Sequence, residues 1–265
     1  MQNEGVSIVV PTFNRAYLIK RSIDSVLKQT YKNFEILIID DGSTDNTYDV
    51  VSAIGDDRIK YIRYSSNQGA AYARNEGIKL SKYDYIAFQD SDDVWNTDKL
   101  EKQMKMILES DANMGLVYCE YHYNGLNGIE GICPNRDIAL SQKSGNMFPY
   151  LLTGNMIGTP TMLVRKEVFE KVGGFDESYS CLEDYEFALR VASRYKIGFI
   201  PECLMEVYAT NDSVTNKPVE NLQMQWRVMN VYKADMIRYG IWDIIVNGLK
   251  EKAEELGIVD RLEIS

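Results

Sequence analysis

The first hundred residues alternate between short apolar runs and segments with the periodicity of an amphipathic helix. Val6–Val10 predicts a buried strand that ends at Pro11. The apolar face of the helix predicted next carries Ile19, Ile23, Val26 and Leu27. Strands and helices that alternate in this way are typical of βαβ units on a mainly parallel sheet flanked by helices. We therefore expect a Rossmann-like α/β fold.

More strands and helices are predicted up to about residue 108. The strands cover residues 34–39, 59–63 and 85–88, and a helix covers residues 69–80. The apolar face of a further helix carries Leu100, Met104, Ile107 and Leu108. Polar clusters follow the strands that end at Val10, Ile39 and Phe88. Because open α/β sheets bind ligands beyond the carboxyl ends of their strands, we expect the functional site there.

The later part of the chain is less regular. Residues 124–147 are rich in Gly, Asn and Ser and predict a mobile loop, whereas the pattern from about Val219 onwards predicts continuous helix. We therefore expect a main domain over residues 1–215 and a C-terminal helical extension over residues 216–265. The apolar stripe of this extension is expected to pack against the main domain or a second subunit in a homo-oligomer, and a membrane surface is the alternative.

Charge and histidine content exclude several classes of protein. The 29 basic and 39 acidic side chains give a net charge of −10, which disfavours a nucleic-acid surface because such surfaces need clustered Lys and Arg. The single histidine, His122, excludes metal sites that need two or more histidines. Acid, base and metal chemistry therefore falls to the carboxylates.

Cysteine spacing and the apolar segments indicate the compartment. The four cysteines form no Cys-x-x-Cys pair, as expected of buried residues in a reduced protein. The first residues do not follow the signal-peptide pattern. The longest late apolar stretch contains Arg238 and Asp243 and is shorter than the roughly 20 residues of a spanning helix. We expect a cytoplasmic location, with peripheral attachment to the inner membrane face through the C-terminal helices as the alternative.

Two acidic turns are candidates for ligand binding. Asp90-Ser91-Asp92-Asp93 follows a predicted strand, and such carboxylates either share a Mg²⁺ or Mn²⁺ ion or cap the next helix. Residues 40–45 form a similar turn, which either contacts a ribose or nucleobase or is only a turn and helix cap. The glycine-rich phosphate loops of dehydrogenases and P-loop enzymes are absent from the sequence.

The motifs taken together resemble the family 2 glycosyltransferases, which are inverting enzymes with a GT-A fold. In chain order they are Val9-Val10-Pro11-Thr12-Phe13-Asn14-Arg15, Asp40-Asp41-Gly42-Ser43-Thr44-Asp45, Asn67-Gln68-Gly69 with Ala73-Arg74-Asn75, Asp90-Ser91-Asp92-Asp93, Gly173-Gly174-Phe175-Asp176-Glu177 and Glu183-Asp184. The resemblance extends over approximately residues 5–215 and leaves the C-terminal helices unexplained.

The resemblance implies a nucleotide-sugar site. Pro11, Thr12 and Asn14 would lie beside the nucleotide, and Asp41 would accept a hydrogen bond from the uracil N3–H. Arg74 would lie near the nucleotide and its diphosphate, although a salt bridge on a helix surface is the alternative.

The second acidic turn has implied roles as well. Asp90 and Ser91 would lie near the ribose, and Asp92 would bind Mn²⁺ or Mg²⁺ directly. Asp93 would orient the loop.

The resemblance also implies the catalytic side of the site. Asp184 matches the family's general base, although an acidic residue in the first turn of a helix is also favoured by the helix dipole. Glu183 and Trp95 would lie on the acceptor side, and Trp95 has a buried core position as its alternative.

The expected reaction is transfer of a sugar from a nucleotide-sugar donor, first of all a UDP-sugar, to a hydroxyl of a glycan, a glycolipid or a polysaccharide. The alternative is a GT-A fold that binds a nucleotide or glycan, or acts as a scaffold, without catalysis. One departure from the family pattern concerns a late histidine, in whose place this chain has Thr210 or Asn211.

Overall fold

The computed structural model describes residues 4–210 and 217–259. Helices lie on both faces of one mixed sheet. The strands are β1 (Val6–Thr12), β2 (Phe34–Asp40), β3 (Ile59–Arg63), β4 (Tyr85–Phe88), β5 (Val94–Trp95), β6 (Met114–Asn124), β7 (Glu130–Cys133), β8 (Leu163–Arg165) and β9 (Lys196–Tyr208). The helices are α1 (Ile19–Leu27), α2 (Thr47–Ser52), α3 (Ala70–Leu80), α4 (Lys99–Glu109), α5 (Phe148–Leu151), α6 (Lys166–Val172), α7 (Glu183–Ala192), α8 (Pro218–Val231), α9 (Lys233–Arg238) and α10 (Trp242–Glu255).

The strand order across the sheet is β3-β2-β1-β4-β8-β6-β9-β5, and β7 pairs with β6. The first four strands of the chain are parallel, as the sequence predicts. In the second half β8 runs antiparallel to β4 and β6, whereas β6 and β9 are parallel. The sheet is therefore parallel where the sequence predicts it and mixed beyond that point.

Each central strand contributes side chains to two cores. Ile8 and Val10 of β1 face a core shared with α1 and α4, and Val9 faces a second core shared with α3 and α7. This division follows from the alternation of side chains along a strand. Gly77 of α3 allows that helix to lie close to β1, because a Cβ there would stand 2.3 Å from Cγ1 of Val9.

Two local predictions are wrong. Pro11 does not end β1, which continues to Thr12. Strand β4 pairs with β1 only as far as Val9, so the missing N–H of Pro11 lies where one neighbouring strand has already ended. Leu108 does not share the buried face of α4 and is 37% exposed.

The loop predicted over residues 124–147 contains regular structure. Strand β7 pairs with the end of β6 in antiparallel register, with Tyr121 opposite Cys133. Short 3₁₀ turns occur at Leu126–Gly128 and Leu140–Gln142. The sequence does not predict β7, because glycine and polar residues leave only a weak alternation of apolar side chains.

The continuous helix predicted after Val219 is wrong, because the chain forms α8, α9 and α10 there. Helix α9 ends at Arg238, and Gly240, two residues later, has a φ of +70°, which a right-handed helix does not adopt. Leu222 of α8 and Leu249 of α10 belong to the same core as Tyr185 of α7. The C-terminal helices therefore pack on the main domain. No helix in residues 4–210 and 217–259 has the length and apolar character needed to cross a membrane.

Candidate active site

The loops after β1 and β2 are joined at the carboxyl edge of the sheet. The Asn14 backbone N–H donates to Oγ of Ser43 at 2.8 Å, and the Asn14 Oδ1 accepts from the N–H of Thr44 at 2.8 Å. Asn14 has a φ of +53°, a conformation that asparagine tolerates better than most residues. Thr12 also belongs to this edge, and its buried Oγ1 has no hydrogen-bond partner among the described residues.

Asp41 is 3% exposed and anchors the loop that leads into α3. Its Oδ2 accepts from the backbone N–H groups of Gln68 at 2.9 Å and Gly69 at 2.7 Å. The second oxygen, Oδ1, accepts from Gln68 at 3.0 Å. The carboxylate is thus fixed in place, and an ionised carboxylate has about four acceptor positions, so it retains capacity for a further donor.

The acidic turn after β4 is held from beneath by α1. The Ser22 hydroxyl donates to the backbone C=O of Asp90 at 2.9 Å, and a guanidinium N–H of Arg21 donates to the C=O of Asp92. The fully buried Gln89 side chain donates to Oγ of Ser22 at 2.9 Å and to the C=O of Asp93 at 2.8 Å.

Asp93 points away from the open edge. It is 2% exposed, and its Oδ1 accepts from the backbone N–H of Tyr208 at 3.1 Å. Burial, and then the charges of Asp90 and Asp92, raise the pKa of Asp93 well above its usual range. Asp93 therefore connects the turn to the end of β9.

The turn fits a divalent cation that arrives with a phosphorylated ligand. Magnesium-type sites commonly use one or two carboxylates together with substrate phosphates. Within the described residues no group of three or more His, Cys, Asp and Glu side chains could hold an ion by itself. Asp92 supplies a partly exposed carboxylate on this turn, so the ligand's phosphates would complete the set of oxygens.

Arg74 connects this turn to the start of α7. Its Nη2 donates to Oδ1 of Asp90 at 2.9 Å, and its Nη1 donates to Oε1 of Glu183 at 2.6 Å. Arg74 is 5% exposed. Burial disfavours the guanidinium cation, but the two carboxylates outweigh this effect and raise the pKa of Arg74. The side chain predicted to lie near the diphosphate is therefore already engaged by two carboxylates.

Asp184 is in the first turn of α7 and is partly exposed. Its Oδ1 accepts from the N–H of Tyr185 at 2.6 Å and from Nδ2 of Asn155 at 3.3 Å. Leu182, the residue before the helix, has a left-handed backbone with φ of 63° and ψ of 19°. Such backbone strain in a non-glycine residue is frequent at functional sites.

The pKa of Asp184 is raised to about 7. Burial is the largest cause, and the negative charge of Glu183 adds to it. Arg74 and the backbone N–H groups of Tyr185 and Thr159 act in the opposite direction. A carboxylate with a pKa near 7 is suited to accept a proton at neutral pH, because the ideal general base titrates near the working pH.

Trp95 does not join this cluster. Trp95 is 2% exposed and lies in the core, as its alternative assignment has it. Nζ of Lys99 lies 3.9 Å from the centre of its ring. Thr210 ends the described part of the main domain, and Asn211 lies outside the described residues.

Asn155 and Arg21 belong to the site but carry no signal in the sequence. Asn155 comes 29 positions before Asp184, and Arg21 comes 71 positions before Asp92, so only the folded chain brings these pairs together. Phe13 lies in the first motif, between Thr12 and Asn14, and is 39% exposed at the same edge as Asp41. An exposed aromatic residue between two predicted nucleotide contacts is the available signal for it.

A mixed α/β sheet flanked by helices, with acidic turns after β2 and β4, is the architecture of the GT-A fold. Solved structures support this fold. The mannosyltransferase PcManGT of Pyrobaculum calidifontis, solved with GDP-Man and Mn²⁺, matches with a TM-score of 0.68 and 18% identity over 97% of this chain and 73% of that chain. Residues 1–349 of TarS from S. aureus, solved with UDP-GlcNAc, match with a TM-score of 0.69 and 20% identity over 88% and 66%.

Sequence comparison gives the family. The model of glycosyl transferase family 2 matches residues 7–173. The chain is 32% identical over 260 residues to the Escherichia coli UDP-Glc:alpha-D-GlcNAc-diphosphoundecaprenol beta-1,3-glucosyltransferase WfgD. This alignment covers 96% of this chain and 97% of WfgD. An uncharacterised glycosyltransferase of Rickettsia prowazekii is 32% identical over 218 residues, 82% of this chain and 68% of the relative. The chain therefore belongs to glycosyl transferase family 2 and is a glycosyltransferase.

Proposed function

We propose that this enzyme transfers a hexose or N-acetylhexosamine, with inversion, from a UDP-sugar to a hydroxyl of a lipid-linked glycan. The observation that carries the proposal is the position of Asp184. This carboxylate has a pKa raised to about 7 and stands on a helix that Arg74 ties to the acidic turn after β4. The site thus supplies a base suited to deprotonate a hydroxyl beside a place suited to a nucleotide diphosphate.

The donor would lie along the carboxyl edge of β1, β2 and β4. Asp41 would accept the N3–H of uracil, and the exposed ring of Phe13 would provide an apolar surface for the base. Pro11, Thr12 and Asn14 would line the nucleotide. The unpartnered hydroxyl of Thr12 supports this assignment, because a buried polar atom without a partner is rare unless a ligand supplies one.

The sugar-phosphate end of the donor would lie over the acidic turn. Asp90 and Ser91 would approach the ribose, and Asp92 would bind Mn²⁺ or Mg²⁺. Such a cation would neutralise the diphosphate and stabilise the negative charge that develops on the leaving group.

The proposed reaction is a single displacement. Asp184 accepts the proton of an acceptor hydroxyl while the oxygen of that hydroxyl attacks the anomeric carbon from the side opposite the diphosphate. The bond from that carbon to the diphosphate oxygen breaks, and UDP leaves with the electron pair. General-base assistance of this kind contributes typically about 10²- to 10⁴-fold in rate.

The relative WfgD supports the choice of donor and acceptor. Its name gives UDP-Glc as the donor, a GlcNAc-diphosphoundecaprenol as the acceptor and a beta-1,3 linkage as the product. A beta linkage formed from the alpha-linked sugar of UDP-Glc requires inversion. The nearly full-length match supports the same classes of donor and acceptor for this chain.

The decisive experiment measures UDP or GDP release from UDP-Glc, UDP-GlcNAc and GDP-Man with Mn²⁺, with and without a GlcNAc-diphospholipid acceptor. We expect acceptor-dependent turnover with a UDP-sugar and a loss of at least about 100-fold in Asp184→Asn, with UDP affinity unchanged. Transfer by Asp184→Asn at the parent rate would refute the base assignment. Binding of UDP without turnover on any of the three donors and that acceptor would favour a non-catalytic binding protein.

A lipid-linked acceptor also requires contact with a membrane, which we propose for the junction of α9 and α10. Ile237, Tyr239 and Ile244 in this junction are 57%, 44% and 71% exposed. Exposed aliphatic and aromatic residues of this kind favour a membrane interface. Co-sedimentation with phosphatidylglycerol vesicles should fall in Ile237→Asp/Ile244→Asp but not in Leu140→Asp, which changes an exposed leucine of the main domain. Equal sedimentation of both variants would contradict this contact.

A further inference from the structure

Arg74 pairs with a carboxylate of the acidic turn after β4 and with a carboxylate in the first turn of α7. Its two terminal nitrogens pair with Asp90 at 2.9 Å and with Glu183 at 2.6 Å. Its Nε is buried without a partner in the described part of the chain. Each terminal nitrogen therefore already donates to a carboxylate, and the guanidinium is held between the two acids.

The charges around Arg74 do not balance. One guanidinium faces the carboxylates of Asp90 and Glu183, and Asp184 follows Glu183 directly on the same helical turn. In a partly desolvated site, each like charge nearby disfavours the ionised form of a carboxylate, and each opposite charge favours it.

The other titratable groups near Asp184 are uncharged at neutral pH. Burial raises the pKa values of Tyr121 and Cys133, and it raises the pKa of Cys181 to about 11. The remaining polar neighbour, Asn155, has no charge in either form. Among the described residues, Glu183 and Arg74 are thus the charged side chains with the largest effect on Asp184.

We propose that Arg74 and Glu183 are positioning residues that control the ionisation of Asp184 in opposite directions. Arg74 then serves as the shared counter-ion of the acidic turn after β4 and of α7, and it is not a ligand of the diphosphate. This inference rests on the proposed function, because it takes Asp184 as the base.

The test follows the acid limb of the pH profile of kcat/KM, measured as UDP release from UDP-glucose with Mn²⁺ and a GlcNAc-diphospholipid acceptor between pH 5 and pH 9. Glu183→Gln removes a negative neighbour, so the limb should move to lower pH by about half a unit or more. Arg74→Met removes the positive neighbour, so the limb should move to higher pH by a similar amount. The double variant should lie between the two.

A second readout needs no substrate. The difference in unfolding free energy between each background and the same background with Asp184→Asn varies with pH according to the ionisation of Asp184. Glu183→Gln replaces a carboxylate with an amide of the same shape and is expected to fold, so the proposal stays testable even if Arg74→Met does not fold.

Glu186→Gln is the matched control. Glu186 lies on the same helix, is 6% exposed and is paired with Arg190 at 2.7 Å, but it is not among the groups that act on Asp184. The limb should stay at its parent position in this variant. A shift as large as that of Glu183→Gln would show a general effect of charge on α7 and would overturn the proposal.

The remaining outcomes separate the two proposals. If Asp184→Asn retains the parent rate, the proposed function fails. If Asp184→Asn is inactive while Glu183→Gln leaves the limb in place or raises it, the positioning role fails and the function stands. Weaker UDP binding in Arg74→Met with an unmoved limb would make Arg74 a donor ligand instead.

Discussion

Asn75 holds Phe175 by both of its backbone polar groups. The Asn75 Oδ1 accepts from the Phe175 N–H at 2.8 Å, and its Nδ2 donates to the Phe175 C=O at 2.9 Å. The neighbouring Gly174 has no side chain to interfere, since a Cβ there would stand 2.3 Å from the Asn75 oxygen. One side chain of α3 thereby fixes the loop that leads towards α7.

Asn75→Ala should destabilise the protein by about 1–3 kcal/mol, because it leaves the N–H and C=O of Phe175 without their partners. Chemical denaturation with urea measures the change. The control is Asn247→Ala, which alters an exposed residue of α10 and should change stability by less than about 0.5 kcal/mol. Equal stability of the two variants would contradict a structural role for Asn75.

Asp184→Asn should stabilise the protein at pH 8 and have little effect at pH 4. The pKa of Asp184 is raised from 3.8 to about 7 on folding, so the folded state binds more protons between these values and loses stability as the pH rises through them. Asparagine has no such penalty. A gain of about 1 kcal/mol or more at pH 8 would raise Tm by about 2–4 °C. A gain that is the same at both pH values would contradict the raised pKa.

Asp41→Asn should weaken UDP binding by about tenfold or more, because the amide cannot accept the Gln68 and Gly69 N–H groups at both of its terminal atoms. Isothermal titration with UDP and Mn²⁺ measures the loss. Asp49→Asn is the control, since Asp49 is an exposed acid in the first turn of α2. Unchanged affinity in Asp41→Asn would remove Asp41 from the donor site.

Truncation after residue 215 should prevent stable folding. Leu222, Val228 and Leu249 belong to the core that also contains Tyr185 and Phe187 of the base-bearing helix. The two predicted domains therefore share their apolar interior, and the full chain should unfold in a single transition. Calorimetry checks this, and a truncated form with the Tm of the full chain would show that the extension is independent.

The sequence predicts the parallel half of the fold because β1, β2 and β4 are buried on both faces and its helices have one apolar face. Strand β3 over Ile59–Arg63 is predicted with the observed bounds. Strand β7 is not predicted, because glycine and polar residues are frequent in residues 124–147, whereas Gly115–Tyr123 within β6 is predicted as a strand. Pro11 shows the limit of a single-residue rule, since its effect depends on which neighbouring strand has ended.

The candidate site likewise combines local features that the sequence predicts with tertiary contacts that it does not. The turns at Asp41 and Asp90 are local features that follow strands, so a sequence can reveal them. The partner of Arg74 cannot be found in this way, because Glu183 lies 109 positions later. The environment that raises the pKa of Asp184 is also a product of tertiary packing, as is its contact with Asn155.

Leu182 fixes the backbone direction at the start of α7. A left-handed backbone costs a non-glycine residue about 1–2 kcal/mol, which glycine would avoid, yet the leucine side chain packs against the core and locks the turn. The turn at Leu182 thus sets the direction in which Glu183 and Asp184 begin α7. Under the proposed function, the acceptor hydroxyl would have to reach Asp184 in the orientation that this turn fixes.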